Sequence, residues 1–225
     1  MRREAHLSPA TDADLDVIEP WLCNRSIRRW LDGYPIRDMR DPTTTVSDPI
    51  GSGYLARTHK WVVREASCAD EPPLGFISAE VYGVGSIGTD GWMVGAPFYA
   101  KLLYFVAPGQ HSKGIGTSML HAAIDAPEVC NVIEFRCGIA SRNLPSRRVA
   151  LRAGFRRQPE ARDHPRKKRR MLSYVFRRAT SDLGSAVLLA MAAVLPLSEP
   201  VRTIPFPLSE PEAFARSSTR SCSTG

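Results

Sequence analysis

An α/β (α+β) fold, a mixed sheet flanked by helices, is predicted by three observations. Short runs of β-branched and aromatic residues recur across roughly the first 180 positions. The apolar stripe Ile115, Met119, Ala122 and Ala123 stands between two such runs, at 98–106 and 132–139. A crossover helix joining two strands implies parallel pairing between them, right-handed by default, while the short polar turns elsewhere imply antiparallel hairpins.

Thr11-Asp12-Ala13-Asp14 opens the first helix, because Thr11 caps the chain end and Asp14 can reach back to it; Leu15, Ile18 and Leu22 form the apolar face. A short helix is predicted over 26–31, ended near Gly33. Residues 34–58, rich in Pro, Asp, Thr and Gly, read as a long connection. Residues 59–65 and 74–82 read as a hairpin around the polar turn 68–73.

The literal G-x-G-x-x-G of Gly83-Val84-Gly85-Ser86-Ile87-Gly88 runs into Thr89-Asp90-Gly91-Trp92 instead of a helix, so it reads as a flexible loop and not as a dinucleotide site. The sheet then resumes at 98–106, helix 114–125 follows, and in strand 132–139 Ile133, Phe135, Cys137 and Ile139 alternate with Glu134, Arg136 and Gly138. Asn143 suits an N-cap, Pro145 a first turn and Gly154 a helix stop. The last strand is predicted at 171–176, entered through Arg166-Lys167-Lys168-Arg169-Arg170.

Five cysteines, Cys23, Cys68, Cys130, Cys137 and Cys222, are odd in number and form no C-x-x-C pair, which argues against a disulfide scaffold or zinc ribbon. No signal-type apolar segment follows Met1-Arg2-Arg3-Glu4, so the expected compartment is the cytoplasm. The net charge of +7 is local: residues 156–178 hold ten Lys/Arg against Glu160 and Asp163, and the remainder sits near neutrality. Without aromatics interleaved in that basic run, nucleic-acid binding ranks low. After residue 180 the pattern changes to one ten-residue apolar run, 186–195, too short to span a membrane, and a twice-occurring Pro-Leu-Ser-Glu-Pro. A folded domain over 1–180 and a disordered, low-complexity tail over 181–225 are expected.

The segment between strand 98–106 and helix 114–125 carries the chemistry. A strand leading through glycines into a helix N-terminus leaves backbone N–H groups facing outward, and with the helix dipole they attract phosphate. Gly109 to Gly114 has P-loop spacing, but Ile115-Gly116 stands where Lys-Ser/Thr would hold the terminal phosphate and magnesium. A nucleotide triphosphatase is therefore disfavoured.

His111-Ser112-Lys113-Gly114-Ile115-Gly116 resembles the [QR]-x-x-G-x-[GA] phosphate motif of the GNAT acyl-coenzyme A-dependent N-acyltransferase superfamily, with His111 in place of Gln/Arg. Asn143, Ser146, Val149, Gly154 and Phe155 resemble its second block, N-x-x-[AS]-x-x-L/V-x-x-x-x-G-F. Trp21-Leu22, Trp30 and the loop around Asp90 look most like aminoglycoside 6'-N-acetyltransferases, and the Asn143/Ser146 block is also similar to ribosomal-protein N-terminal acetyltransferases.

The resemblance implies a centrally splayed sheet, with acetyl-CoA as cosubstrate and acetyl transfer to a primary amine by direct attack. The coenzyme would be held by His111, Ser112, Lys113, Gly114, Ile115, Gly116 and Thr117, with Asn143 and Ser146, and Phe105 or Val106 would offer an N–H to the carbonyl oxygen. Asp90 or Glu80 would take the amine proton. Ala150 stands where many members carry a proton-donating tyrosine, which leaves Ser146, or Tyr104, for the thiolate. Acceptor contacts are expected from Trp30, Asp32, Tyr82, Asp90 and Trp92, aromatic platforms and carboxylates that suit a small cationic amine. No metal-ligand spacing is present and no metal is expected; a monomer or homodimer is. The alternatives are a protein N-terminal acetyltransferase and a non-catalytic descendant that binds CoA or nucleic acid.

Overall fold

The computed structural model describes residues 5–31, 39–40, 53–65, 71–88, 91–163 and 170–179, with side chains described at all of these except 5, 86–88, 91–93 and 160–163. Among them seven strands form one sheet: β1 (Ala5–Pro9), β2 (Tyr54–Glu65), β3 (Gly75–Gly88), β4 (Gly91–Val106), β5 (Val132–Ala140), β6 (Arg156–Asp163) and β7 (Arg170–Arg177), in the order β1-β2-β3-β4-β5-β7-β6. Every neighbouring pair is antiparallel except β4–β5, which is parallel, as a crossover helix requires. Among the described residues the helices are α1 (Asp12–Cys23), α2 (Arg25–Leu31), α3 (Ile115–Asp125) and α4 (Leu144–Arg152), with a 3₁₀ turn at Pro127–Val129, and Met39 and Arg40 are also helical.

Side-chain alternation divides the sheet into two faces. On one, Ile77, Ala79 and Val81 of β3, Ala100 and Leu102 of β4 and Phe135, Cys137 and Ile139 of β5 pack under Met119, Leu120 and Ala123 of α3 and Ala150 of α4. Met119 and Leu120 are wholly enclosed, each contributing about 1.5–3 kcal/mol of hydrophobic stabilisation. On the other face Leu15, Ile18 and Leu22 of α1 and Ile27 of α2 cover Val62, Phe76 and Phe105. Thr11 and Asp14 form the expected capping box, and Asp14 also pairs with Arg64 of β2, fixing α1 to the sheet.

Several sequence expectations change. β1 was not foreseen, because five residues ending in Pro9 carry almost no alternation signal; short edge strands tolerate such composition. β2 begins at Tyr54, inside the stretch read as connection. The supposed flexible loop at 83–88 is strand: Val84 pairs with Gly95 and Gly88 with Gly91. Gly83 is required there by close approach, since a Cβ would stand 2.3 Å from the carbonyl oxygen of Gly95 and 2.8 Å from the Phe98 ring. β6 was also passed over, its arginines and Pro159 hiding an edge strand.

Arg178 closes the crossover. Its Nη1 donates to the carbonyls of Val129, Cys130 and Val132 at 2.8, 2.6 and 3.2 Å, and its Nη2 to that of Ile124, while its guanidinium lies over the Phe135 ring. The basic positions 166–169, the tail expected over 181–225 and the boundary between it and the domain lie outside the described residues. Among the described residues no helix is long and apolar enough to cross a membrane.

Candidate functional site

The β4–β5 ladder pairs Phe98 with Val132, Tyr99 with Glu134, Ala100 with Phe135 and Lys101 with Arg136, and then stops. β4 continues to Val106 and β5 to Ala140, so beyond Lys101 the two parallel strands part and leave a cleft between backbone edges. The predicted phosphate loop stands at the open end of that cleft, and Lys101 and Arg136 stand at its vertex.

The loop reverses direction through three left-handed residues, Gly109 (φ 80°), Ser112 (φ 66°) and Gly114 (φ 83°). Gly114 is the N-cap of α3 and has open space where a Cβ would sit, so its glycine serves the backbone conformation alone. The N–H groups of His111, Ser112, Lys113, Gly114, Ile115 and Gly116 meet no backbone carbonyl among the described residues. Residues 111–114 are exposed, and Lys113 Nζ donates to Gln110 Oε1 at 2.8 Å. Six such donors in a turn with left-handed residues at the head of an eleven-residue helix suit a phosphate group. Gly116 has a different purpose: a Cβ there would lie 3.3 Å from Val149, so this glycine lets α3 approach α4.

At the vertex, the face away from α3 is polar and aromatic. Tyr82 Oη donates to Glu80 Oε2 at 2.7 Å; the Tyr82 ring stacks on Tyr99 with centroids 5.5 Å apart, and Lys101 Nζ lies 5.1 Å from the Tyr82 centroid. Arg136 lies 4.0 Å over the Tyr99 ring, and its Nε donates to Glu134 Oε1 at 2.6 Å. Arg177 Nε donates to the other oxygen of Glu134 at 2.7 Å. Burial opposes ionisation of Glu134, but the hydrogen bonds from Arg177 and Arg136, with their charges, overcome it and hold the carboxyl below its ordinary value.

On the helical side, Asn143 caps α4 by accepting from the Ser146 N–H at 3.3 Å, as expected. The Ser146 carbonyl accepts from Tyr104 Oη at 3.1 Å, and the Ser146 hydroxyl makes no hydrogen bond among the described residues. Burial pushes the Tyr104 phenol far above its usual range, the nearby Cys137 thiol adding to it, and burial likewise keeps Cys137 protonated. Ala150, fully enclosed, faces the core.

The structure thus brings Glu80 and the Arg136 cluster to the vertex and residues 111–117 to the cleft's open end. Tyr82 is 1% exposed and its hydroxyl is engaged by Glu80, so it is a platform for Glu80 and Tyr99 instead of an open ligand contact. Phe105 buries its ring against Phe76 and Trp21, leaving only its backbone to the cleft. Trp30 is half-buried beside Arg29. Asp32 and Asp90 lie outside the described residues, as does the side chain of Trp92. Sequence reading passed over Tyr99, Glu134, Arg136 and Arg177; alternation marked Glu134 and Arg136 as polar, but their convergence with a tyrosine of β4 is a property of the register. No three of the described His, Cys, Asp or Glu residues are placed to hold a metal ion.

Several solved structures share this architecture. The aminoglycoside acetyltransferase AAC(6')-Ib in complex with paromomycin and acetyl-CoA aligns with TM-score 0.56 and 19% identity, over 78% of this chain and 94% of its own. An aminoglycoside N(6')-acetyltransferase from Legionella pneumophila aligns with TM-score 0.57 and 14% identity, over 82% and 97%. Spermidine N-acetyltransferase from Vibrio cholerae, with CoA and spermine, aligns with TM-score 0.51 and 14% identity, over 77% and 95%. At such identities the likeness is one of fold. No curated protein matches the sequence. The profile of the acetyltransferase (GNAT) domain, however, matches residues 5–156, about two thirds of the chain and both halves of the cleft. The parted parallel strands and the glycine turn at their open end are therefore those of a GNAT acetyltransferase domain, and the chain belongs to that family.

Proposed function

We propose that the protein transfers an acetyl group from acetyl-CoA to the primary amine of a small polar molecule, by direct attack in a ternary complex and as a monomer or homodimer. The observation that carries this reading is the cleft itself: six N–H groups at its open end that meet no backbone carbonyl among the described residues, and a carboxylate, Glu80, on the strand next to its vertex. Structures of the same fold contain acetyl-CoA with an aminoglycoside, or CoA with spermine, which supports this cosubstrate and acceptor class.

Acetyl-CoA supplies an acyl thioester whose carbonyl carbon accepts the amine. The N–H groups of residues 111–116 hold its phosphates, and the cleft between β4 and β5, capped by Asn143 and Ser146 of α4, receives its arm. An N–H from Phe105 or Val106 stabilises charge on the carbonyl oxygen. Glu80, oriented by the Tyr82 hydroxyl, or Asp90 takes the ammonium proton. The Ser146 hydroxyl, without a hydrogen-bond partner among the described residues, relays a proton from water to the departing thiolate. Tyr104 suits this less well, because its hydroxyl is committed to the Ser146 carbonyl. Trp30, Asp32, Asp90 and Trp92 flank the acceptor. The catalytic unit comprises residues 1–180; ending the chain after Thr180 is expected to leave coenzyme affinity unchanged.

The test is acetyl-CoA-dependent thiol release across aminoglycosides, polyamines, amino acids and short peptides. Glu80→Gln is expected to lower kcat/KM by about 10²-fold with coenzyme affinity unchanged. Ser146→Ala is expected to cost less than about ten-fold, since water also protonates a thiolate. The alanine at position 150 favours one second reading, a coenzyme-binding descendant without turnover. It would be recognised by tight acetyl-CoA binding and no thiol release with any amine.

A further inference from the structure

Arg136 is arranged as a receptor. Its Nε is taken by Glu134, its plane rests on Tyr99, and among the described residues its two terminal nitrogens have no hydrogen-bond partner. The side chain is 38% exposed, so the fork faces solvent while its stem is held. A guanidinium fixed through Nε and a stacking ring presents its remaining N–H groups as a planar pair, the geometry that binds a carboxylate or phosphoryl oxyanion in bidentate fashion.

Its position excludes the coenzyme's phosphates as the guest. Lys101 and Arg136 are the last pair before β4 and β5 part, and Val106 lies five residues further along β4, about 17 Å at strand rise. The loop 111–116 is beyond that. Arg136 instead lies on the same face as Glu80, Tyr82 and Tyr99, where the acceptor amine must approach. On β3 to β7 the charged side chains described on this face are Lys101, Arg136, Arg156 and Arg177 against Glu80 and Glu134. A guanidinium at this point lowers the pKa of an amine bound nearby, which raises its neutral, nucleophilic fraction.

Resting on the acetyltransferase reading above, we infer that the acceptor is a small amine that also bears an oxyanion, a carboxylate or a phosphate, which the Arg136 fork binds while the amine is presented at the vertex of the cleft. Arg136 is thus a specificity-determining residue, with Tyr99 and Glu134 positioning it.

Matched acceptors test this with the full chain: cadaverine against L-lysine for the carboxylate, D-glucosamine against its 6-phosphate for the phosphate, and spermidine and kanamycin as polycations. The expected result is kcat/KM at least ten-fold higher for the oxyanion-bearing member of one pair, and which pair shows it names the oxyanion. Arg136→Gln is expected to erase that preference through KM, leaving acetyl-CoA affinity unchanged. Arg136→Lys, which keeps the charge but loses the fork and does not depend on the glutamine variant folding, is expected to give an intermediate KM. Preference for spermidine or kanamycin, or a preference for oxyanions that survives in both variants, overturns the assignment and leaves the acetyltransferase reading intact. Turnover of no amine overturns both.

Discussion

The two ends of the cleft are proposed to bind negative charge by opposite means. At the open end the donors are six backbone N–H groups, and the side chains of His111, Ser112 and Lys113 are exposed. At the vertex the donor is one side chain, Arg136, fixed by a ring and a carboxylate. A backbone receptor is specified by conformation, through Gly109 and Gly114, and is nearly indifferent to the side chains it carries. A side-chain receptor is specified by identity and fails when that identity changes. The first suits a cosubstrate shared by a whole family, and the second suits an acceptor that differs from member to member.

This contrast can be broken from either end. The largest effect is expected from Gly114→Val. A β-branched residue at φ 83° strains the loop and turns the donors away, so the Kd for acetyl-CoA should rise ten-fold or more, measured by calorimetry on folded protein. Unchanged affinity would mean that the backbone turn is not the coenzyme site. A smaller effect, about three- to five-fold on the KM of an oxyanion-bearing acceptor, is expected from Glu134→Gln, which keeps an oxygen for the Arg136 Nε but removes the charge that holds it.

The pH dependence follows with a definite sign. Because the folded Glu134 carboxyl lies below its ordinary value of 4.5, its clasp is fully formed above that value and is lost only as pH falls through the lower folded value. Acceptor KM measured from pH 8 to pH 4 should therefore show no inflection from this group near 4.5, and one there would mean the clasp is absent in solution. The smallest effect is expected from His111→Ala. Although His111 occupies the motif's usual Gln/Arg position, less than a two-fold change in coenzyme affinity should result, because the N–H at 111 survives the substitution.

What the sequence made legible divides along the same line. The loop, α3, the Asn143 cap and the parallel crossover were all readable, because each depends on local spacing: a glycine where φ is positive, a capping side chain three residues before its N–H, an apolar stripe at helical period. The vertex was not. Tyr99, Glu134, Arg136 and Arg177 come from three strands, and their meeting depends on a register irregularity between Phe98 and Tyr99 that no local pattern announces. The glycines at 83–88 misled for a related reason. Their freedom serves close backbone approach between paired strands, whereas in isolation it looks like looseness.

Arg178 bears on the order in which the chain can fold during its synthesis. The carbonyls of Ile124, Val129, Cys130 and Val132 are made some fifty residues before the guanidinium that satisfies them. A chain emerging from the ribosome can build the β2–β3–β4 meander from neighbouring hairpins and can coil α3 behind it. The turn that brings β5 back alongside β4 keeps its carbonyls turned to water until residue 178 arrives. The vertex, where Arg177 of β7 meets Glu134 of β5, is likewise completed only once β7 has been made.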